Sequence, residues 1–148
     1  MAEVKELVIQ TRLGPRTISA ERIIDFPRGI IGFEDLHRFT LLQIKADSPF
    51  LILQSIDDPE QGLLVADPYS FMERYEIKVG DTEQKILQLQ DRKDVAVLVT
   101  VTIPPGRPEN TTLNLTGPVI INTVSKVGMQ IPQTDAALPS HYLLSEKN

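Results

Sequence analysis

VAVLVTVTI, residues 95–103, is the clearest strand in this chain, and it indicates the class of fold. Its β-branched residues recur at every second position: Val95, Val97, Val99, Val101 and Ile103. This period is typical of a strand with one face in a core. The opposite face changes along the run, because Ala96 and Leu98 are followed by Thr100 and Thr102. We expect that face to pass from buried to solvent-exposed.

Similar but shorter apolar runs lie on both sides of this strand, and most end at a turn signal of Pro, Gly or Asp. They lie at residues 7–14, 17–19, 22–26, 39–44, 50–56, 62–66, 112–116, 119–124 and 129–131. Asp81 and Gln84 form a capping-box pattern that predicts a short helix ending before Asp91. Because about ten short strands would expose many edges in an open sheet, the sequence predicts an all-β, mostly antiparallel fold. The expected form is a small closed or nearly closed β-barrel with one short helix.

Length and composition narrow the possible functions. A single domain over residues 1–148 is predicted, with a weakly patterned tail at 133–148 in which Tyr142, Leu143 and Leu144 dock and the last four residues fray. Fifteen Lys and Arg against twenty Asp and Glu give a net charge of −5, which argues against direct nucleic-acid binding. The absence of Cys excludes thiolate metal sites and disulfides. No apolar run is long enough for a membrane helix, and we expect a cytoplasmic protein.

A search for chemistry finds no phosphate-binding glycine loop and no nucleophile motif. The two histidines, His37 and His141, lie 104 positions apart, and we interpret His37 as a solvated residue of a helical turn near Phe33, Leu36 and Phe39. The sequence therefore predicts no catalytic residues, no metal site and no cofactor.

The loop Phe26–Glu34 has two interpretations. In one, Pro27, Gly29 and Gly32 shape the turn while Phe26 and Phe33 anchor it in the core. In the other, Ile30 and Ile31 lie exposed at the loop tip and contact a partner, with Phe33 and Glu34 beside them.

Acidic residues are concentrated in one part of the chain. Residues 47–83 contain nine Asp and Glu against two basic residues, a net charge of −7, while the rest of the chain carries +2. Asp57, Asp58 and Asp67 belong to this region, and Asp before Pro is a strong turn former; a cation site and acid–base catalysis are the alternatives. An acidic surface would steer a basic partner, and we expect the turns from Asp57 to Asp67 to face one; the alternative is that the turns between strands carry Asp and Glu for solubility.

Three further side chains are candidate partner contacts, each with a structural alternative. Asn114 and Asn122 would either contact a partner or hold strand ends by bonding nearby backbone. Tyr69 follows Asp67-Pro68 and would either anchor a partner beside the acidic turns or pack in the core.

Five ordered blocks resemble the FliW family of flagellar assembly factors. The most specific is FPRGIIGFE at residues 26–34, similar to the family signature FPxGIxGFE. The others are PFLILQS (49–55), VADP (65–68), VTV (99–101) and NLTGPVIIN (114–122), close to the family's NLxxPIxIN except at Thr116-Gly117. The resemblance covers roughly residues 11–131 and does not extend to the tail.

The resemblance implies a non-enzymatic, cytoplasmic binding protein without cofactors. Its implied partners are flagellin, the filament subunit, and CsrA, a basic RNA-binding regulator that represses flagellin translation. Binding to CsrA relieves that repression, and the family is usually described as acting beside the RNA site. The alternatives from other classes are a barrel that binds a small molecule or carbohydrate through Asp67, Asn114 and Asn122, and an uncharacterised enzyme. Direct RNA binding is disfavoured by the charge and by only eight aromatic residues.

Overall fold

The computed structural model describes residues 5–134 and 137–144. Ten strands and one α-helix lie within this part of the chain. The strands are β1 (Glu6–Thr11), β2 (Gly14–Ser19), β3 (Ile24–Asp25), β4 (Arg38–Gln43), β5 (Phe50–Ser55), β6 (Gly62–Ala66), β7 (Val95–Thr102), β8 (Thr112–Asn122), β9 (Val127–Gln130) and β10 (Tyr142–Leu143). The helix is α1 (Asp81–Leu87), and short 3-10 turns occupy Ala20–Arg22, Pro68–Ser70, Arg92–Asp94 and Pro108–Asn110.

Eight of these strands form one sheet in the order β10-β8-β7-β6-β5-β4-β3-β9. Because β8 also pairs with β9, the seven strands from β3 to β9 curl into a nearly closed ring. All pairings are antiparallel except one short parallel contact between Asp25 and Val127. This confirms the predicted all-β, mostly antiparallel and nearly closed fold with one short helix. The hairpin of β1 and β2 packs outside the ring, where Ile9 and Ile18 cluster with Leu42.

The interior of the ring is apolar and contains residues from six strands. Phe26 and Phe39 meet edge to face with ring centroids 5.2 Å apart. Around them pack Ile24, Ile30, Leu53, Val65, Leu98, Val119 and Ile121. The core role predicted for Phe26 is therefore confirmed.

The outer faces of β7 and β8 are also covered. Leu87 of α1 packs on the outside against Ile120 and Met129, and Tyr75 packs against Val99 and its neighbours. Consequently the first two thirds of β7 are buried or half-buried on both faces. Its even-numbered face passes from buried Leu98 to exposed Thr102, as predicted.

Several local predictions are wrong at their boundaries. Ile103 lies beyond the end of β7 and is exposed, because the strand ends at Thr102 before the prolines. Residues 112–122 form one strand rather than two. β7 pairs with the segments before and after Gly117-Pro118, because the register shifts between Leu98 and Thr100.

Two turn predictions also need correction. The N-cap of α1 is Gly80 and not Asp81, and no side chain caps it; Gln84 instead donates to the carbonyl of Val79. The helical turn predicted near His37 is limited to one turn, in which the amide of Leu36 donates to the carbonyl of Phe33 at 3.1 Å. His37 lies just beyond it and is exposed, as predicted, with its Nδ1 2.9 Å from the carbonyl oxygen of Phe26.

The tail docks as predicted, because β10 pairs with the start of β8 and the amide of Leu144 donates to the carbonyl of Thr111. The predicted fraying concerned residues 145–148, which lie outside the described residues. Within the described ranges, none of the helices has the length and apolarity that crossing a membrane requires.

Candidate functional site

The glycine loop, residues Phe26–Glu34, is held in a fixed shape. Gly29 and Gly32 both have positive φ angles, 66° and 91°. A Cβ on Gly29 would lie 2.7 Å from the Cα and from the carbonyl oxygen of Glu34, so only glycine allows this close approach. A tight turn closes the tip, since the amide of Phe33 donates to the carbonyl of Ile30 at 2.6 Å.

Within this loop the two isoleucines have opposite positions. Ile30 is only 2% exposed and belongs to the ring interior, whereas Ile31 is 64% exposed. The expectation that Ile30 is an exposed contact is therefore wrong: with a glycine before it, the chain turns that side chain inward and leaves its neighbour at the tip. Phe33 is half-buried, and Glu34 is exposed.

Two side chains fix the tip where Ile31 protrudes. The amide of Ile31 donates to Oε1 of Gln130 at 3.0 Å, and Nε2 of Gln130 donates to the carbonyl of Gly117. The amide of Gly32 donates to a carboxylate oxygen of Glu34 at 2.7 Å. Glu34 therefore supports the loop by satisfying its backbone, which an exposed turn would otherwise leave to water.

The acidic turn, residues Asp57–Glu60, joins β5 to β6 and lies beside Arg38. Arg38 donates from Nε at 3.0 Å and from Nη2 at 2.7 Å to Oδ1 of Asp57. Burial alone would raise the pKa of Asp57, but the hydrogen bonds and positive charge of Arg38 outweigh it and lower that pKa below 3.8. Asp58 accepts from the amide of Glu60 and so shapes the turn. The turn interpretation of this Asp-Pro sequence is confirmed.

Asp67 does not join this acidic turn. The register of β5 with β6 pairs Gln54 with Gly62 at one end and Phe50 with Ala66 at the other. The five residues of β6 at about 3.3 Å each separate Asp67 from the acidic turn by roughly 16 Å. The two groups of acids therefore lie at opposite ends of one hairpin, and the expectation that the turns from Asp57 to Asp67 face a basic partner stays a prediction.

Tyr69 and Asp67 form a local motif at their end of the hairpin. Oδ1 of Asp67 accepts from the amide of Tyr69 at 2.9 Å, which caps the turn Pro68–Ser70. The hydroxyl of Tyr69 donates to the carbonyl of Tyr75, and burial followed by the charge of Asp67 raises its pKa. Its ring remains nearly half exposed, so it packs on one side and offers the other to solvent.

Asn114 and Asn122 bond nearby backbone, as their structural interpretation predicts. Oδ1 of Asn114 accepts from the amide and hydroxyl of Thr116. Asn122 is 3% exposed; it donates to the carbonyls of Leu87 and Gln88 and accepts from the amides of the turn that follows it. The side chain of Asn122 is thus unavailable as a surface contact.

A match to a known family follows from comparison with other proteins. A family model described as FliW protein matches residues 7–144. The chain belongs to the FliW family.

Relatives in this family are similar over almost the whole chain. A flagellar assembly factor FliW of Nitratidesulfovibrio vulgaris (strain DP4) is 58% identical over 144 residues, which is 97% of this chain and 83% of that protein. A flagellar assembly factor FliW of Bacillus pumilus is 37% identical over 139 residues, 93% of this chain and 96% of that protein. A crystal structure of the flagellar assembly factor FliW superimposes with a TM-score of 0.85 at 31% identity, covering 95% and 96% of the two chains.

In this FliW-family chain, three supporting side chains were missed by the sequence analysis, and only one of them carries a signal in the sequence. Gln130 reaches the glycine loop from 99 positions away, and nothing local to it signals this. Arg38 likewise has no local pattern that pairs it with Asp57. Gln54 does carry a signal, because it interrupts an apolar strand; it is fully buried and joins the amide of Arg12 to three carbonyls near the acidic turn.

The described residues suggest no site for a metal. No three His, Asp or Glu residues are grouped to hold one in residues 5–134 and 137–144, and within the same ranges every buried polar side-chain atom has a hydrogen-bond partner. What this FliW-family chain presents instead is a fixed loop with an exposed isoleucine and a separate acidic turn.

Proposed function

We propose that this chain is a cytoplasmic flagellar assembly factor that acts by binding two proteins, flagellin and CsrA, without catalysis or a cofactor. Family membership and the names of its relatives support the general role. The observation that carries the binding mode is the exposed side chain of Ile31 on a loop whose backbone is fixed on both sides.

An aliphatic side chain held in this way is a favourable binding anchor. A flexible loop loses conformational freedom on association, and that loss opposes binding. The glycine loop is already ordered by Gln130 and Glu34, so little further ordering is needed. Burying one isoleucine in a partner's pocket removes apolar surface from water and contributes about 1.5–3 kcal/mol.

The acidic turn suits a basic partner such as CsrA. Arg38 neutralises Asp57, so the net negative charge of the turn comes from Asp58 and Glu60. Negative charge on an exposed turn speeds encounter with a positive surface, and the effect weakens as salt screens it. We propose that this turn steers CsrA to a position beside its RNA site.

Exchange between the two partners follows from mass action. A protein bound by flagellin is removed from the pool that binds CsrA, and the free CsrA then represses flagellin translation. The direction of regulation depends only on relative affinities and concentrations, so no covalent step is required.

The anchor is tested by comparing Ile31→Ser with Val8→Ser, a control of similar exposure (70%) on the outer hairpin. We expect Ile31→Ser to weaken the complex with flagellin monomer or with CsrA at least tenfold by isothermal titration calorimetry, while Val8→Ser changes neither. If the unmodified chain co-elutes with neither protein on size exclusion, the proposed function is wrong. If it binds but Ile31→Ser binds equally well, only the anchor is wrong.

Steering is tested with Glu60→Lys, because the carboxylates of Asp57 and Asp58 are tied to Arg38 and to the turn backbone. We expect slower association with CsrA and a flatter salt dependence in stopped-flow measurements. Glu76→Lys makes the same change of charge on another exposed segment and serves as the control. Equal association rates for both variants would remove the steering argument.

The small-molecule or carbohydrate alternative requires convergent free polar groups. Asp67, Asn114 and Asn122 were its candidates, and an oxygen of each already accepts a hydrogen bond from nearby backbone. Their local engagement favours the binding-protein proposal over this alternative.

A further inference from the structure

A cleft of about 530 Å³ lies next to β3, where a single parallel contact joins β3 to β9. At its bottom Ile24 and Ile121 are buried and Leu41 and Ala96 are half-buried. The buried Thr40 also lines it, but its hydroxyl donates to the carbonyl of Arg22, so the floor is mainly aliphatic. Such a floor favours an apolar side chain over water. The cleft shares no residue with the glycine loop or the acidic turn.

The rim of this cleft is positive, although the chain as a whole is negative. Arg22 and Lys126 lie on the rim with one carboxylate, Glu21. Neither cation forms an ion pair with any residue in the described ranges. The hydroxyl-bearing residues Ser19 and Thr123 complete the rim. Charge complementarity therefore favours an anionic group beside the apolar floor.

The turn on one side of the cleft, residues Thr123–Lys126, is fixed in place. Asn122 binds its backbone and ties it to the end of α1, and the amide and hydroxyl of Thr123 both donate to the carbonyl of Asp94. Val124 protrudes from this turn and is 71% exposed. The buried Asn122 thus orders the turn that places Thr123 and Lys126 at the cleft.

We propose that this cleft docks an acidic segment of a partner protein in which an aliphatic side chain is flanked by Asp or Glu. The aliphatic side chain fills the floor, and the flanking carboxylates meet Arg22 and Lys126. RNA is the other common polyanion, but no aromatic side chain lines this cleft to stack a base. Because a basic partner would be repelled here, the cleft is a second docking surface, distinct from the one proposed for CsrA.

The test is an NMR titration of the ¹⁵N-labelled full chain with an acetylated heptapeptide, Ser-Glu-Leu-Glu-Leu-Glu-Ser, at low ionic strength. We expect amide shifts confined to the cleft, at Ala96, Ile121 and Thr123. The double variant Arg22→Gln/Lys126→Asn should raise the Kd for the peptide about fivefold or more. Asn is chosen because Lys126 has a φ of 61°, which Asn tolerates.

A matched control removes the same charge elsewhere. Lys45→Gln/Lys85→Gln changes two exposed lysines that do not line the cleft, and we expect the peptide Kd to stay within twofold of the original. Ala96→Leu fills the floor without changing charge and should also weaken binding. Urea unfolding midpoints of all variants show whether each remains folded.

Four outcomes would overturn the proposal. They are the absence of shifts at the cleft, equal binding of a peptide with Lys in place of Glu, equal binding by the Arg22→Gln/Lys126→Asn variant, and tighter binding of a uridine dodecamer at the same residues. None of them bears on the proposed function, because the unmodified chain's binding to flagellin and CsrA is measured separately.

Discussion

Replacing Gly29 by Ala is expected to destabilise the protein much more than the same change at Gly106. Both glycines have left-handed backbones, with φ angles of 66° and 75°. An L-residue in this region lowers the free energy of unfolding by about 1–2 kcal/mol, and the lower conformational entropy of the unfolded alanine chain offsets about 0.4–1 kcal/mol of that loss. At Gly106 nothing lies within 4 Å of the added Cβ, so the net cost there is about 1 kcal/mol.

At Gly29 the added methyl group also meets backbone that has no free rotation. The new Cβ would lie 2.7 Å from both the Cα and the carbonyl oxygen of Glu34. Forcing an extra carbon into filled space typically costs about 1–3 kcal/mol more. The total is then about 3 kcal/mol. Since 1 kcal/mol shifts the melting temperature of a domain of this size by about 2–4 °C, we expect losses of about 6–12 °C for Gly29→Ala and 2–4 °C for Gly106→Ala.

Thermal unfolding followed by far-UV circular dichroism measures both losses, and urea midpoints give the free energies. Because relieving the contact moves the backbone that carries Ile31, Gly29→Ala should also weaken partner binding at temperatures where it is folded, whereas Gly106→Ala should not. Equal destabilisation by the two substitutions would refute the argument, since it would mean that the close approach to Glu34 does not constrain the loop.

Three further predictions follow from the core and from the titrating groups. Gly128→Ala should cost about 1–3 kcal/mol in urea unfolding, because its Cβ would lie 2.5 Å from Cζ of the buried ring of Phe26. Burial, and then the nearby Tyr69, raise the pKa of Tyr75 to about 12. The protonated Tyr75 therefore contributes roughly 2–3 kcal/mol to the free energy of unfolding, which is fully present below pH 10 and is lost as pH rises through 12. Tyr75→Phe should abolish that alkaline loss and the corresponding step in tyrosinate absorbance. Because the pKa of Asp57 is lowered in the folded protein, its carboxylate stabilises the fold above pH 3.8, and this stabilisation is lost as pH falls through the pKa of the folded state. Arg38→Gln should raise that pKa in a carboxyl NMR titration and reduce the loss of unfolding free energy at acidic pH.

The strands were predictable because their signal is local. The alternation of valines in residues 95–103 and the Asp-Pro and Pro-Gly turns mark strand ends within a few residues. The residues that cover a strand, by contrast, are distant from it in the sequence. The outer face of β7 is buried by Tyr75, Leu87 and their neighbours, and that packing depends on where the intervening chain returns.

In the candidate site, too, the sequence alone could not place individual side chains. Glycines on both sides of Ile30-Ile31 correctly indicate a tight loop, but which isoleucine points inward depends on φ angles that the sequence does not state. Asp57 and Asp67 lie close in sequence, yet one strand of five residues places them at opposite ends of a hairpin. A signal existed for this separation, since residues 62–66 were predicted as a strand and a strand separates its ends by its own length.

The separation of the proposed binding surfaces determines how flagellin and CsrA would exchange. If flagellin and CsrA both need Ile31, the apparent Kd of each rises in proportion to the free concentration of the other, and no ternary complex forms. If instead an acidic segment of flagellin occupies the cleft beside Lys126 while CsrA meets the acidic turn, the two can bind together unless their bulk overlaps. Any antagonism between them then has to come from overlap of the partners or from a coupling free energy, which must be equal in both directions. Measuring the flagellin Kd over a series of CsrA concentrations, and the converse, therefore distinguishes mutually exclusive binding from simultaneous binding. A proportional rise without limit indicates exclusion, through a shared Ile31 or through overlap of the partners, whereas a rise that reaches a plateau indicates simultaneous binding.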